Sequence, residues 1–426
     1  MPPIADHSQR YDLANELHAR PFPRAQAPAT VSYIAIKRET GAVGRDRDTD
    51  RAHLVALLDR HGVAHPAPGA THYAGRIGRH LLKWEQHSEF VTYTAISEGV
   101  GDRAFDPADF DVFPDAWLGQ APGVRVTSIL MRVAERLTDA EIEEALDDWF
   151  VSESLAVCDV LDGDGVAAGD FRIDPAGHMR FAVFVRDGTG ERRVGRIIQR
   201  LCEIETYKSM SMLGFSRVRG ISAELGALDA RLTELVHDMA GQDSPAADTL
   251  TRLLSVSERF EALAAHNAYR FGATGAYEAI VGERIATLRE SRFRGRQTFS
   301  EFMMRRYQPA MRTVQATELR LQRLADRAMR AGELLRTRVD VDRSAQNQAL
   351  MERMDRRADL QLRLQRTVEG LSVVAISYYA VSLAGYLLYP LAAALGLSEG
   401  TVTAAVTLPV VAAVWWSVRH IRKRLG

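Results

Sequence analysis

Residues 371–395, LSVVAISYYAVSLAGYLLYPLAAAL, are 25 consecutive positions without a charge. As a helix this run is about 38 Å long, more than the roughly 30 Å hydrocarbon core of a bilayer. A short segment, GLSEG (396–400), carries Glu399. A second apolar run, TVTAAVTLPVVAAVWWSV (401–418), gives about 27 Å more as a helix and ends on Trp415 and Trp416. Paired tryptophans at such an end match an interfacial aromatic belt. The pattern predicts a hairpin of two transmembrane helices (371–395 and 401–418), an outer loop (396–400) and a basic tail (419–426). Arg356, Arg357, Arg363 and Arg366 precede the first span, and Arg419, Arg422, Lys423 and Arg424 follow the second. The loop holds no basic residue, so the positive-inside rule places both termini in the cytoplasm.

The rest of the chain is large enough for more than one core. With 46% hydrophobic and 26% charged residues it reads as globular, not disordered. The N-terminus MPPIADHSQRYDL lacks the apolar stretch of a secretory signal. The two cysteines, Cys158 and Cys202, lie in apolar-patterned segments without a CxxC or Cys/His cluster, and read as reduced buried thiols. Charge is unevenly placed. Residues 1–288 hold 31 Lys+Arg against 43 Asp+Glu, a net −12, whereas 289–370 hold 19 Arg against 11 Asp+Glu. A basic segment beside a bilayer is drawn to anionic headgroups.

Residues 1–190 read as a cytoplasmic α/β domain. VSYIAIKR (31–38), HLLKWEQHSEFVTYTAIS (80–97), RVTSILMRVA (125–134), ESLAVCDVL (153–161) and MRFAVFVRD (179–187) are strand-like, and 49–62 and 138–150 are helix-like. Thr138 and Glu141 form a capping-box pattern. DGDG (162–165) and DPAG (174–177) are turn signals. Residues 191–297 read as a helical domain of three helices: one to about 240, one over 246–267 and one to about 291. From Thr298 a helical pattern runs through a stalk (298–370) into the first span. Leu321, Leu324, Ala328, Ala331 and Leu335 step by 3 and 4, as do Leu350, Met354 and Ala358, then Leu364, Val368 and Leu371. Such a narrow seam on an Arg-rich rod needs partner helices, from this chain or from copies of it.

Five strings, NELHARPFP (15–23), LKWEQHSEF (82–90), EIETYKSM (203–210), YRFGATGAYEAIV (269–281) and LQLRLQRTVEGLSVVAISYY (360–379), resemble a family of bacterial membrane-anchored proteins known as a domain of unknown function. His18, Arg20 and Trp84 stand in these strings. The resemblance spans the chain and implies anchoring in a bacterial inner membrane, with no activity attached. The order of parts also resembles the CorA family of magnesium channels: an α+β cytoplasmic domain, long stalk helices and a C-terminal two-helix hairpin. That resemblance implies a homo-oligomer, a pentamer in CorA, handling a divalent cation. SLAGYLLYP (382–390) is similar to the end of that family's first span, but Leu387, Leu388 and Tyr389 stand where Gly-Met-Asn is expected.

Candidate sites are few. Glu85, His87 and Glu89 alternate, and on one strand they would share a face at about 7 Å spacing. That pattern reads as a salt-bridged sheet face, or as a metal or acid/base site that His18 and Arg20 would join. DVLDGDG (159–165) lacks the ligands of a calcium loop and reads as a hairpin turn. No nucleophile or cofactor motif supports an enzyme. The Arg-rich stalk, interleaved with acids, reads as a solvated face with no nucleic-acid partner. Within the first span, Ala375, Tyr378, Ser382, Gly385 and Tyr389 form one stripe that reads as a helix-packing face or as a pore lining. Two functions follow: a homo-oligomeric CorA-like protein that passes or senses an ion, and a membrane-anchored scaffold without transport.

Overall fold

A computed structural model describes residues 4–16, 22–39, 46–240, 245–394 and 398–425. His18 and Arg20 lie outside them. The chain divides into two compact units, one of residues 1–243 with 251–331 and one of 244–250 with 332–426.

In the first unit the strands are β1 (Ala29–Lys37), β2 (His72–Ile77), β3 (His80–Gln86), β4 (Phe90–Glu98), β5 (Val124–Glu135), β6 (Ala156–Val160), β7 (Gly165–Ile173), β8 (Met179–Val185) and β9 (Ser291–Arg292). The helices are α1 (Arg10–Glu16), α2 (Arg47–Arg60), α3 (Asp115–Leu118), α4 (Asp139–Trp149), α5 (Glu191–Ala240), α6 (Ala246–Leu288, entering the unit at Thr251) and α7 (Phe299–Phe302). Among the described residues the strands form one mixed sheet in the order β2-β3-β4-β1-β5-β8-β7-β6-β9. Among the described residues only β5 and β8 pair in parallel. A parallel pair needs a crossover, and the chain supplies it through α4 and the β6–β7 hairpin.

Alternation along β1, β3 and β4 gives the sheet two different faces. Ile34, Ile36, Leu82, Trp84, Val91, Tyr93 and Ala95 join one apolar core with Leu54, Leu57 and Leu58 of α2, Trp117 of α3, and Ile142 and Leu146 of α4. The intervening Tyr33, Lys83, Glu85, Thr92 and Thr94 point the other way, toward Gln199, Cys202 and Thr206 of α5. On the apolar face His53 is satisfied at both ring nitrogens, while the buried Trp84 Nε1 has no hydrogen-bond partner among the described residues. His53 Nε2 lies 3.1 Å from the Trp117 carbonyl, an acceptor only, so Nε2 carries the proton and Nδ1 accepts from Tyr93 Oη at 2.9 Å.

Several sequence expectations change here. Residues 80–97 are a hairpin of two strands, because His87 N–H donates to Phe90 O and closes a turn. β7 was unread: its run GVAAGDFRI is small and apolar on both faces and lacks the β-branched signature. Residues 246–288 form one helix, not two. Asn267, at the expected break, turns its side chain back to Leu263 O at 2.6 Å and the helix continues through buried Phe271. The capping box at Thr138 forms as read, and a second one, Thr298 with Glu301, opens α7. Gly163 sits at positive φ in the turn after Asp162, whose carboxylate pairs with Arg289 while Asp164 pairs with Arg193.

After α7 a π-helical turn, Met303–Tyr307, leads into α8 (Gln308–Ala394). The widened turn precedes Pro309, whose missing N–H falls in the first turn of α8, where it is least disruptive. Leu321, Leu324, Ala328 and Ala331, the first half of the expected seam, are buried.

The second unit holds α8 from Gly332 and α9 (Glu399–Leu425). Residues 332–394 of α8 alone would measure about 95 Å. Leu335 is buried, but Leu350, Met354, Leu364, Val368 and Leu371 are exposed. Both helices are long and apolar enough to cross a membrane, and their apolar windows are almost wholly exposed. Glu399 and Gly400 belong to the first turn of α9 and not to a loop, and the basic tail continues that helix to Leu425.

Candidate functional site

Three of the five strings that carry the family resemblance meet on the polar face of the sheet, joined by one residue of another. The second runs along β3 into the β3–β4 turn, the third lies on α5 and the fourth on α6; Pro23 comes from the first. On α5, Gln199, Glu203, Thr206 and Met210 recur at helical spacing, so one stripe covers the sheet.

The chamber beneath that stripe is a chain of paired groups. Lys83 is buried, sits 3.1 Å from Glu85 Oε1 and donates to Gln199 Oε1 at 2.8 Å. Gln199 Nε2 donates to Glu203 Oε1 at 2.7 Å, and Glu203 pairs through its other oxygen with Arg284 of α6. Thr206 donates to Cys202 O at 2.8 Å, so Tyr33, whose hydroxyl lies 2.6 Å from Thr206 Oγ1, is the donor in that contact. Burial pushes the Tyr33 phenol well up. Burial, reinforced by the neighbouring Glu203, pushes the Cys202 thiol up as well, which leaves it a poor nucleophile. The cavity left between these groups is about 20 Å³, room for one water-sized occupant.

Beside the chamber stands a second cluster. Glu89, 1% exposed, pairs with Arg270 and accepts from Tyr277 Oη at 2.9 Å. Burial, and then the Glu89 charge, raise the Tyr277 phenol. His87 stacks on Phe90 with ring centroids 4.3 Å apart, and Tyr207 stacks on Tyr277 at 5.5 Å. These contacts pin the β3–β4 turn to α5 and α6.

The Glu85–His87–Glu89 reading is thereby corrected. Alternation ends with β3 at Gln86, so the three do not share a strand face. Glu85 turns to Lys83 and, like His87, lines the chamber; Glu89 turns to Arg270. Among the described residues no group of three His, Cys, Asp or Glu is placed to hold a metal ion. Trp84 lies on the opposite face, in the apolar core. Sequence reading missed Lys83, Gln199, Glu203, Arg270, Tyr277 and Arg284. The available signal was that most of them fall in or beside the strings EIETYKSM and YRFGATGAYEAIV.

The second unit has its own candidate. A cleft of about 950 Å³ between the two apolar helices is lined by Tyr378, Ser382 and Gly385 of the expected stripe. Ser377, Glu399, Thr403 and Thr407 join them, among valines. Ala375 is not part of the lining. The side chain of Tyr389 lies outside the described residues. Tyr378, Ser382 and Gly385 therefore face the second apolar helix of their own chain.

No curated protein matches the chain. A family model described as a protein of unknown function, DUF3422, matches residues 5–425, and the chain belongs to that family.

Proposed function

We propose that this member of the DUF3422 family is a homo-oligomeric inner-membrane protein of CorA-like architecture that passes or senses a cation, with both termini cytoplasmic. The observation that carries the reading is α8. One unbroken helix of 87 residues buries its first apolar seam, exposes the next, and runs on as the first apolar span. A simple tether needs no such helix. An apolar seam left open on a polar rod is what copies of the same helix cover in a bundle. Fifteen large apolar side chains from Leu371 to Ile421 are exposed. At roughly 1.5–3 kcal/mol forgone for each, their exposure to water would outweigh the roughly 5–15 kcal/mol by which a domain is stable. A bilayer removes that cost. The net charge of −12 on residues 1–288 would gather cations at the cytoplasmic side, more so when multiplied by copies.

The test is the mass of the purified full-length protein in detergent, followed by cation flux after reconstitution into liposomes. Oligomers of defined size with flux above empty liposomes are expected. A monomer, or a tight oligomer without flux or any cation-dependent change, overturns the reading. The second reading is an anchored scaffold without transport, and one observation favours it: Tyr378, Ser382 and Gly385 face the chain's own second span, as a packing stripe does. Ser382→Leu and Gly385→Leu separate the two. They should abolish flux without changing oligomer mass if the stripe serves passage.

A further inference from the structure

We propose that the basic end of the hairpin binds anionic phospholipid, with its headgroup on the arginines and an acyl chain in the groove beside them. The proposal rests on the membrane reading above and names the lipid class that this end takes.

The basic residues here are carried on helices. α8 runs unbroken from Arg363 into the first apolar span, and α9 runs from the second span through Leu425. Arg363 and Arg366 stand about 8–12 Å before Leu371, and Arg419, Arg422, Lys423 and Arg424 about 2–9 Å beyond Val418. That is roughly the reach of a charge at physiological salt, about 8 Å. Val418 shares a groove with Leu364, Gln365 and Val368, so both sets lie at the same end of the hairpin.

Acids do little to neutralise them. Within 363–370 and 419–426, six basic residues stand against one acid, Glu369, to which Gln365 Nε2 donates at 3.5 Å. Asp359 pairs with Arg363 at 3.5 Å, but both are exposed, and such a pair holds weakly. Among the described residues Arg366 and Arg419 pair with no carboxylate. Basic clusters of this size at the end of a span attract anionic headgroups.

The same end also offers apolar contact. The groove, about 450 Å³, is lined by Leu364, Val368, Val373, Ile376 and Val418. Trp415 and Trp416 are exposed, the Arg419 guanidinium sits 4.9 Å over the Trp415 ring, and His420 stacks on Trp416 at 5.4 Å. Such aromatic rings lie at headgroup level. A soluble anion would meet the arginines and leave the groove uncovered. A zwitterionic lipid would fill the groove and bring no net charge to the arginines. An anionic phospholipid does both.

Lipid retention by the full-length protein tests this. The protein in mild detergent is incubated with mixed micelles of equal phosphatidylglycerol and phosphatidylcholine, and lipid kept per chain is counted by mass spectrometry after gel filtration. Phosphatidylglycerol should be kept at least fivefold over phosphatidylcholine. Arg366→Gln with Arg419→Gln should lower that preference at least threefold, and the two lysine variants should keep it. Arg343→Gln, about 40 Å back along α8, should change nothing. Equal retention of the two lipids, indifference to the Arg366→Gln and Arg419→Gln changes, or displacement of the lipid by inorganic phosphate overturns the proposal. If the chain floats with vesicles of neither lipid after detergent removal, the membrane reading fails and takes the proposal with it. If it floats with both and keeps them equally, only the proposal falls.

Discussion

The two units differ in how much of their apolar surface the chain itself covers. Under α5 in the sheet unit, Lys83, Glu85, Gln199, Glu203 and Arg284 are buried or half-buried and each meets a partner from the same chain. In the hairpin unit the apolar side chains face outward and the buried Ser377 hydroxyl has no partner. Elsewhere in the sheet unit some buried polar atoms, Trp84 Nε1 and Asn267 Oδ1 among them, have no hydrogen-bond partner. The hairpin unit leaves its large apolar side chains uncovered by the chain itself. A buried charge network that is closed within one chain fixes geometry, whereas an exposed apolar seam is surface that the chain itself does not cover.

The sharpest way to break this contrast is to open the closed side. Glu89→Ala should leave Arg270 buried and unpaired and lower the stability of the sheet unit by roughly 3–5 kcal/mol, read as a fall in thermal midpoint. The pair Glu89→Leu with Arg270→Met should lose less than either single change. Equal losses, or none, would mean that the cluster is not closed in solution.

Close backbone approaches come next. A Cβ at Gly195 would lie 1.7 Å from the Pro23 carbonyl oxygen, so Gly195→Ala should cost about 1–3 kcal/mol despite alanine's helix preference. Gly226, on the same helix, has open space around it, and Gly226→Ala should gain about 0.5–1 kcal/mol. The same sign at both positions would break the packing argument.

A pH effect should follow from His53, His80 and His178, whose imidazoles are all held below 6.5 mainly by burial. The unfolded chain takes up these protons near pH 6.5 and the folded chain resists them. Stability is therefore full above about pH 6.5 and is lost as pH falls below it, with a slope of at most about 1.4 kcal/mol per pH unit for each titrating histidine. Thermal midpoints measured from pH 8 to pH 5 should show this fall, and His53→Gln should make it shallower.

The smallest effect should come from Tyr33→Phe. It removes the hydrogen bond to Thr206 but leaves Thr206 its own donation to Cys202, so the loss should be about 0.5–1.5 kcal/mol in urea unfolding. A larger loss would mean that the chamber acts as one cooperative network.

The hairpin was legible because its signal is local. Twenty-five uncharged residues, a tryptophan pair and flanking arginines need no tertiary partner to be read, and the family model covers the same stretch. The strands with β-branched alternation and the cap at Thr138 were legible for the same reason. β7 was not, because small residues buried on both faces carry no period. The Glu85–His87–Glu89 pattern misled because strand alternation holds only as far as the strand, and a turn at His87 sent Glu89 to α6, 181 residues away at Arg270.

By itself, then, the sequence determined the two apolar spans, the long helices and the arginine-flanked hairpin, since each depends on residues within a few turns of one another. Only the tertiary structure decided that Tyr33, Glu203 and Arg284 close one chamber, that Asn267 continues a helix instead of breaking it, and that the Tyr378–Ser382–Gly385 stripe faces its own second span across a cleft. Those outcomes depend on which distant groups arrive to satisfy a buried donor or fill a groove, and no local pattern encodes that.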